Sequence, residues 1–162
     1  MSEYETILCV PHPQWVEIWL NRPQARNAMS FKMVDELSDA FAQLDHNVQA
    51  VVLRGKGGHF CAGGDVKDMR SLFMQAQSKP ASTAEDRSTT EDDSNSEKTT
   101  DGPKSLSEQL QADELAQANR KFGTLLNQIQ RCPQVLISVL EGSVMGGGFG
   151  LACVSDIAIA LP

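Results

Sequence analysis

The opening of the chain alternates apolar and polar positions. Thr6 to Val10 and Trp15 to Leu20 read as two short strands, and Pro11-His12-Pro13 between them supplies a turn, so a hairpin is expected. Beyond Asn21-Arg22-Pro23 the period lengthens. Met33, Val34, Leu37, Phe41 and Leu44 recur at helical spacing after Ser30, a good N-cap residue, which predicts a helix with those residues facing the core. Ala50 to Arg54 is a short β-branched apolar run bounded by Gly55, Gly57 and Gly58 and reads as a strand. His59-Phe60-Cys61-Ala62 follows, and Gly63-Gly64-Asp65 opens another helix.

A long amphipathic helix is expected from Leu106 to about Arg131, with Leu115, Ala118, Phe122, Leu125, Leu126 and Ile129 on one stripe, stopping before Cys132-Pro133. Val135 to Leu140 reads as a buried strand, Gly142 to Gly150 as a glycine-rich turn into a short helix, and Asp156 to Ala160 as a further strand. Strands alternating with helices predict an α/β fold. Between these elements the composition changes abruptly. From Ser78 to Ser105 only Ala81 and Ala84 are apolar, eleven residues are Ser or Thr, and acids outnumber bases seven to four. Such a stretch buries too little surface to offset its ordering entropy, so 78–105 reads as a disordered surface insertion. An inert surface loop is its plainer role, and a loop that modulates access to a site its sharper one.

Composition narrows the function. With 162 residues the chain suits one domain, 1–162, and 41% hydrophobic content permits a sizeable core. A net charge of −7 and no basic cluster argue against a nucleic-acid partner. Cys9, Cys61, Cys132 and Cys153 are scattered and form no C-x-x-C pair, so neither a disulfide framework nor a zinc site is indicated. No apolar run reaches membrane-spanning length, and the N-terminus is acidic where a targeting peptide is basic; a cytoplasmic protein is expected.

The candidate chemistry lies at two glycine-rich junctions, Phe60-Cys61-Ala62-Gly63-Gly64-Asp65 and Met145-Gly146-Gly147-Gly148-Phe149-Gly150. Each would present free backbone N–H groups at a helix start, where glycine permits close approach and the first-turn amides favour an oxyanion. Taken singly, either junction also reads as a tight turn and nothing more. Neither nucleotide-binding glycine fingerprint is satisfied, because position 151 is Leu and no G-K-[ST] occurs; nor is there a G-x-S-x-G elbow. His59 beside the first junction and Glu141 before the second are weaker acid/base candidates, each read first as a structural or solvated residue.

Three segments in order carry a resemblance: Leu20-Asn21-Arg22-Pro23 with Asn27-Ala28; Phe60 to Met69, FCAGGDVKDM; and Glu141-Gly142 with Gly146-Gly147-Gly148 and Asp156-Ile157-Ala158. Together they resemble the signatures of the crotonase (enoyl-CoA hydratase/isomerase) superfamily, across the whole chain except 78–105. The resemblance implies a spiral of ββα units, C-terminally truncated here, that binds coenzyme A thioesters. By motif position it implies that the amides of Gly64 and Gly147 form an oxyanion hole for the thioester enolate. Arg26, Ala28, Ala62, Asp65, Val66 and Lys67 would receive the coenzyme A moiety, with Asp65 serving as a helix cap rather than a reactive group. Coenzyme A enters as part of the substrate, and no separate cofactor or metal is implied. Family members assemble as trimers or dimers of trimers when the full domain is present.

The departures from the family pattern are equally specific. Well-known hydratases of this family carry a glutamate three residues after the central glycine of the triplet, and here that position is Gly150. Their second glutamate would fall beyond Pro162. The segments Gly-Gly-Gly-Phe-Gly-Leu and Cys153 to Ala160 are similar to bacterial hydratases of branched glutaconyl-CoA esters, the 3-methylglutaconyl and isohexenylglutaconyl types, so hydration of an enoyl-CoA is the leading expectation. A 3-hydroxyacyl-CoA hydrolase or enoyl-CoA isomerase of the same superfamily is the alternative. A non-catalytic fragment that binds acyl-CoA, or acts through its interactions alone, is the reading from a different class.

Overall fold

The computed structural model describes residues 3–78 and 106–161; of the insertion expected at 78–105, Ser78 instead ends a helix and the rest lies outside the described residues. The opening hairpin forms, with β1 (Ile7–Pro11) antiparallel to β2 (Trp15–Leu20). It begins one residue later than the expected strand and takes in Pro11, which an edge strand tolerates because its N–H is not needed. Helix α1 (Phe31–Ala42) then crosses over to β3 (Ala50–Gly55), which lies parallel to β2. Helices α2 (Val66–Ser78) and α3 (Leu106–Gln130) precede β4 (Val135–Leu140), and the short α4 (Gly147–Cys153) leads to β5 (Ile157–Ala160). The five strands pair in chain order, and every pairing after the hairpin is parallel. The architecture is α/β, as expected.

The strands bury one face. Val16, Ile18 and Leu20 of β2 lie opposite Val51, Leu53 and Gly55 of β3, and Val51 and Leu53 lie opposite Leu136 and Ser138 of β4. All of these residues are buried. Helix α1 covers this face through Met33, Val34, Leu37, Ala40 and Phe41, a stripe at helical spacing, and starts where the Ser30 hydroxyl accepts the Met33 N–H at 3.1 Å. Leu44 falls past the end of α1 yet still packs against the core. Helix α3 contributes buried Leu125 and Ile129 and is tied to α1 by side-chain bonds: the Ser38 hydroxyl donates to Gln128 Oε1 at 2.6 Å, and Gln128 Nε2 donates to the Ser38 carbonyl at 2.8 Å.

The other sheet face differs from expectation. Val135 to Leu140 reads in sequence as a buried strand, but only Leu136 and Ser138 are buried there, because among the described residues no helix covers the side carrying Trp19, Val52, Ile137 and Val139. Ile157 and Ile159 of β5 are 48% and 47% exposed on that side. Arg54 lies over the Trp19 ring, 4.3 Å from its centre, between Glu17 at 3.5 Å and Glu141 at 3.9 Å.

Candidate active site

The segment after β2 enters a short 3-10 turn, Pro23–Ala25, and leaves it through two left-handed residues, Arg26 at φ 49° and Asn27 at φ 55°. Asparagine tolerates that conformation better than most residues, and here its side chain is fully used. Asn27 is 0% exposed; its Oδ1 accepts the Arg22 N–H at 2.8 Å, while Nδ2 donates to the carbonyls of Lys56 at 2.8 Å and His59 at 2.7 Å. One side chain thus fastens the turn before α1 to the loop after β3.

That loop continues into the first glycine junction, which lies alongside residues 26–29. Ala62 N–H donates to the Arg26 carbonyl at 3.0 Å, Met29 N–H to the Gly63 carbonyl at 2.7 Å, and Asp65 N–H to the Met29 carbonyl at 3.0 Å. The residues expected to receive coenzyme A are therefore brought side by side. Arg26, Val66 (74% exposed) and Lys67 are open to solvent, and Ala28 and Ala62 are half-buried.

Asp65 faces inward. Its carboxylate is 2.7 Å from Arg22 Nη2 and accepts the Lys67 N–H at 2.9 Å, so it caps α2 and holds the Arg22 segment. Arg22 in turn donates from Nη1 to the Ala28 carbonyl at 2.6 Å. Burial alone would raise the Asp65 pKa, but the Arg22 hydrogen bond, the N–H of Lys67, the Arg22 charge and the N–H of Asp68 outweigh it and leave the carboxyl below the usual aspartate range. The stability this group confers is fully present above the unfolded aspartate pKa and is lost as pH falls through the lower folded value. Asp65→Asn is accordingly expected to cost about 2 kcal/mol at neutral pH and to flatten the loss of stability below about pH 4. Urea titrations across that range would measure both effects, and parallel curves for the two proteins would contradict the assignment. Asp68 acts similarly across elements, accepting the Phe31 N–H at the start of α1 at 2.8 Å.

The second junction runs beside the first. Phe60 N–H donates to the Glu141 carbonyl at 2.7 Å, Cys61 N–H to the Ser143 carbonyl at 2.9 Å, and Met145 N–H to the Cys61 carbonyl at 3.0 Å. Gly146 then turns the chain at φ 48°, ψ −115°, a conformation that L side chains rarely adopt, and α4 begins at Gly147. At Gly148 the reason for glycine is proximity: a Cβ there would stand 2.5 Å from the Cys61 Cβ and 2.9 Å from its carbonyl. The Cys61 thiol is pushed up by burial, so it packs as a neutral group.

These contacts place Gly64 and Gly147 on one cleft of about 250 Å³, lined also by apolar Met29, Phe31, Val34, Met69, Ala118 and Phe122 and by one amide side chain, Asn119. Among the described residues, no acceptor takes the N–H of Gly64 or of Gly147. Two unclaimed amides on the wall of a largely apolar cleft are the arrangement from which donors to a developing oxyanion are built. His59 and Glu141 do not line it. The His59 Nδ1 accepts the Ser143 N–H at 3.2 Å, and Glu141 lies with Arg54. Position 150, inside α4, offers no side chain.

A family model described as enoyl-CoA hydratase/isomerase matches residues 16–162. The chain belongs to the enoyl-CoA hydratase/isomerase family. Among solved structures it is similar to Pseudomonas aeruginosa AtuE, with 42% identity and a TM-score of 0.72 over 96% of this chain and 48% of that one. It is also similar to an enoyl-CoA hydratase/isomerase from Marinobacter aquaeolei, with 39% identity and a TM-score of 0.70 over the same shares of each chain. A curated relative, the peroxisomal Delta(3,5)-Delta(2,4)-dienoyl-CoA isomerase of Arabidopsis thaliana, is 28% identical over 85% of this chain and 41% of its own length. The chain thus spans about two fifths of that relative and about half of the solved structures. Of the family motif residues, Asn27 is one that sequence reasoning quoted without giving it a role. The walls formed by Met29, Met69 and Phe122 it did not assemble at all.

No helix among the described residues is long and apolar enough to cross a membrane, and none of their His, Cys, Asp and Glu side chains form a group of three or more that could hold a metal ion.

Proposed function

We propose that this enoyl-CoA hydratase/isomerase family chain binds the thioester of coenzyme A with its carbonyl oxygen between the N–H groups of Gly64 and Gly147. The observation that carries the reading is the pair of unclaimed amides on one cleft. Negative charge gathers on that oxygen when the thioester passes through an enolate, and preorganised donors stabilise it there more than they stabilise the neutral carbonyl. The exposed strip formed by Arg26, Val66 and Lys67, beside half-buried Ala28 and Ala62, would carry the nucleotide and pantetheine outside the cleft.

The reaction proposed for the whole protein is hydration of an enoyl-CoA: hydroxide adds at the β-carbon, the enolate forms, and a proton is delivered to the α-carbon. The sequence similarity to hydratases of branched glutaconyl-CoA esters suggests that substrate. The cleft lining weighs against that substrate and for an uncharged acyl part, since a glutaconyl ester bears a free carboxylate and no Lys or Arg lines the cleft among the described residues. Among the described residues no carboxylate or imidazole lines it either, which favours, as a second reading, a chain that binds and polarises acyl-CoA while the proton is moved by a group outside this cleft. Isomerisation needs the same enolate, so it shares the proposed oxyanion site. Assembly into trimers is likewise a proposal for the whole protein. The scattered thiols fit a reducing compartment such as the cytoplasm, although the Arabidopsis relative is named as peroxisomal.

Calorimetric titration with an unreactive acyl-CoA thioether tests the binding reading. Saturable heat that exceeds the heat given by coenzyme A alone is expected. A cooperatively folded chain that takes up neither compound would overturn the proposal.

A further inference from the structure

We propose that Phe122 sets how long an acyl chain the cleft accepts, its ring standing where a side chain at position 150 would otherwise enter. The inference rests on the coenzyme A thioester reading above and adds the residue that fixes acyl length.

Helix α3 presents Ala118 and Phe122 one turn apart, and both line the cleft. Facing them, α4 carries Gly147 and Gly150, also one turn apart. Without side chains at those two positions the ring comes close. A Cβ on Gly147 would lie 3.5 Å from Phe122 Cζ, an ordinary contact; one on Gly150 would lie 3.2 Å from Cζ, 3.3 Å from Cε1 and 3.4 Å from Leu126 Cδ1. The aromatic ring and Leu126 therefore already fill the direction in which a residue at position 150 would project. A side chain there could enter only if Phe122 gave way.

Phe122 has little freedom to do so. The next residues on the same stripe, Leu125 and Ile129, are buried in the core, and Gln128 is bonded twice to Ser38 on α1, so the rotation of α3 about its axis is fixed. The opposite wall is different. Met29 and Met69 are unbranched thioethers with several rotatable bonds, and such side chains yield readily to a ligand's shape. Among the described lining residues the ring is thus a less yielding wall than the methionines. At about 250 Å³ the cleft is smaller than most drug-sized ligand pockets, which suits a short apolar acyl group.

The test is calorimetric titration of the full chain and its Phe122→Ala variant with butyl, octyl and dodecyl thioethers of coenzyme A. The same alkyl series on N-acetylcysteamine, which lacks the nucleotide, is run alongside. The parent chain is expected to prefer the butyl compound. Removing the ring should reverse that order and raise octyl affinity roughly tenfold, the value of a methylene or two brought out of water. Phe122→Leu, which keeps a branched apolar side chain in the stripe, should fall between the two and carries the same test if the alanine variant melts early. An unchanged order in both variants overturns the inference and leaves the coenzyme A reading standing. A reversed order with no advantage of the coenzyme A carrier over N-acetylcysteamine keeps the inference and overturns the coenzyme A reading. A folded parent chain that takes up neither series overturns both.

Discussion

Asn27→Ala is expected to cost about 3–6 kcal/mol, a large fraction of the stability of an ordinary domain. Two terms make up that figure. The first is the loss of three hydrogen bonds at a side chain with no exposed surface, which deprives the Arg22 N–H and the carbonyls of Lys56 and His59, all at half-buried residues, of that partner. Lost bonds to half-buried partners of this kind cost about 0.5–1.5 kcal/mol each. The second term is the left-handed backbone at φ 55°, which alanine adopts at a penalty of about 1–2 kcal/mol. Asn27→Gly separates the two, since glycine removes the strain and keeps the broken bonds; it should recover only the smaller part. Urea unfolding with both variants measures the difference. If alanine costs under about 1 kcal/mol, Asn27 is not the fastening between the two segments.

Gly147→Pro is expected to lower enoyl-CoA turnover of the whole protein about a hundredfold or more, the effect of deleting one oxyanion donor. In the chain by itself it should weaken an enolate-mimicking thioester far more than a ground-state thioether. Proline is suited to this test because Gly147 is the first residue of α4, where the ring costs no intrahelical bond. There is also room for its Cβ, with the nearest atom 3.5 Å away. A matching thermal midpoint would show that only the donor has been removed. Equal weakening of both ligands would assign Gly147 to packing rather than to charge stabilisation.

Much of this arrangement was legible in the sequence because it is encoded locally. Ser30 and the Met33 to Phe41 stripe announced α1, the valines of β3 announced a strand, and each glycine junction stood out by composition alone. What could not be read is carried by contacts between distant segments. Asn27 is a polar residue in a turn, indistinguishable in sequence from a solvated one, and its importance exists only because Lys56 and His59 arrive beside it. The cleft wall joins Met69 and Phe122 from two helices with Met29 from the segment before α1. The buried-strand reading of Val135 to Leu140 failed for a related reason: an apolar run shows that a face can be covered, not that a covering element is present among the described residues.

The pairing of β3 with β4 also bears on how the molecule assembles in time. Every earlier strand contact lies within about the first third of the chain, whereas this one joins residues 85 positions apart. Closure entropy grows only logarithmically with length, so deleting 79–105 would change its equilibrium cost by no more than about 0.4 kcal/mol. The kinetic consequence is larger, because distant pairings are slow to find. The hairpin, α1 and β3 can condense while the Gly147 segment is still unattached. The two amides therefore meet across the cleft only when β4 docks, which makes the candidate active site one of the last features to appear during folding.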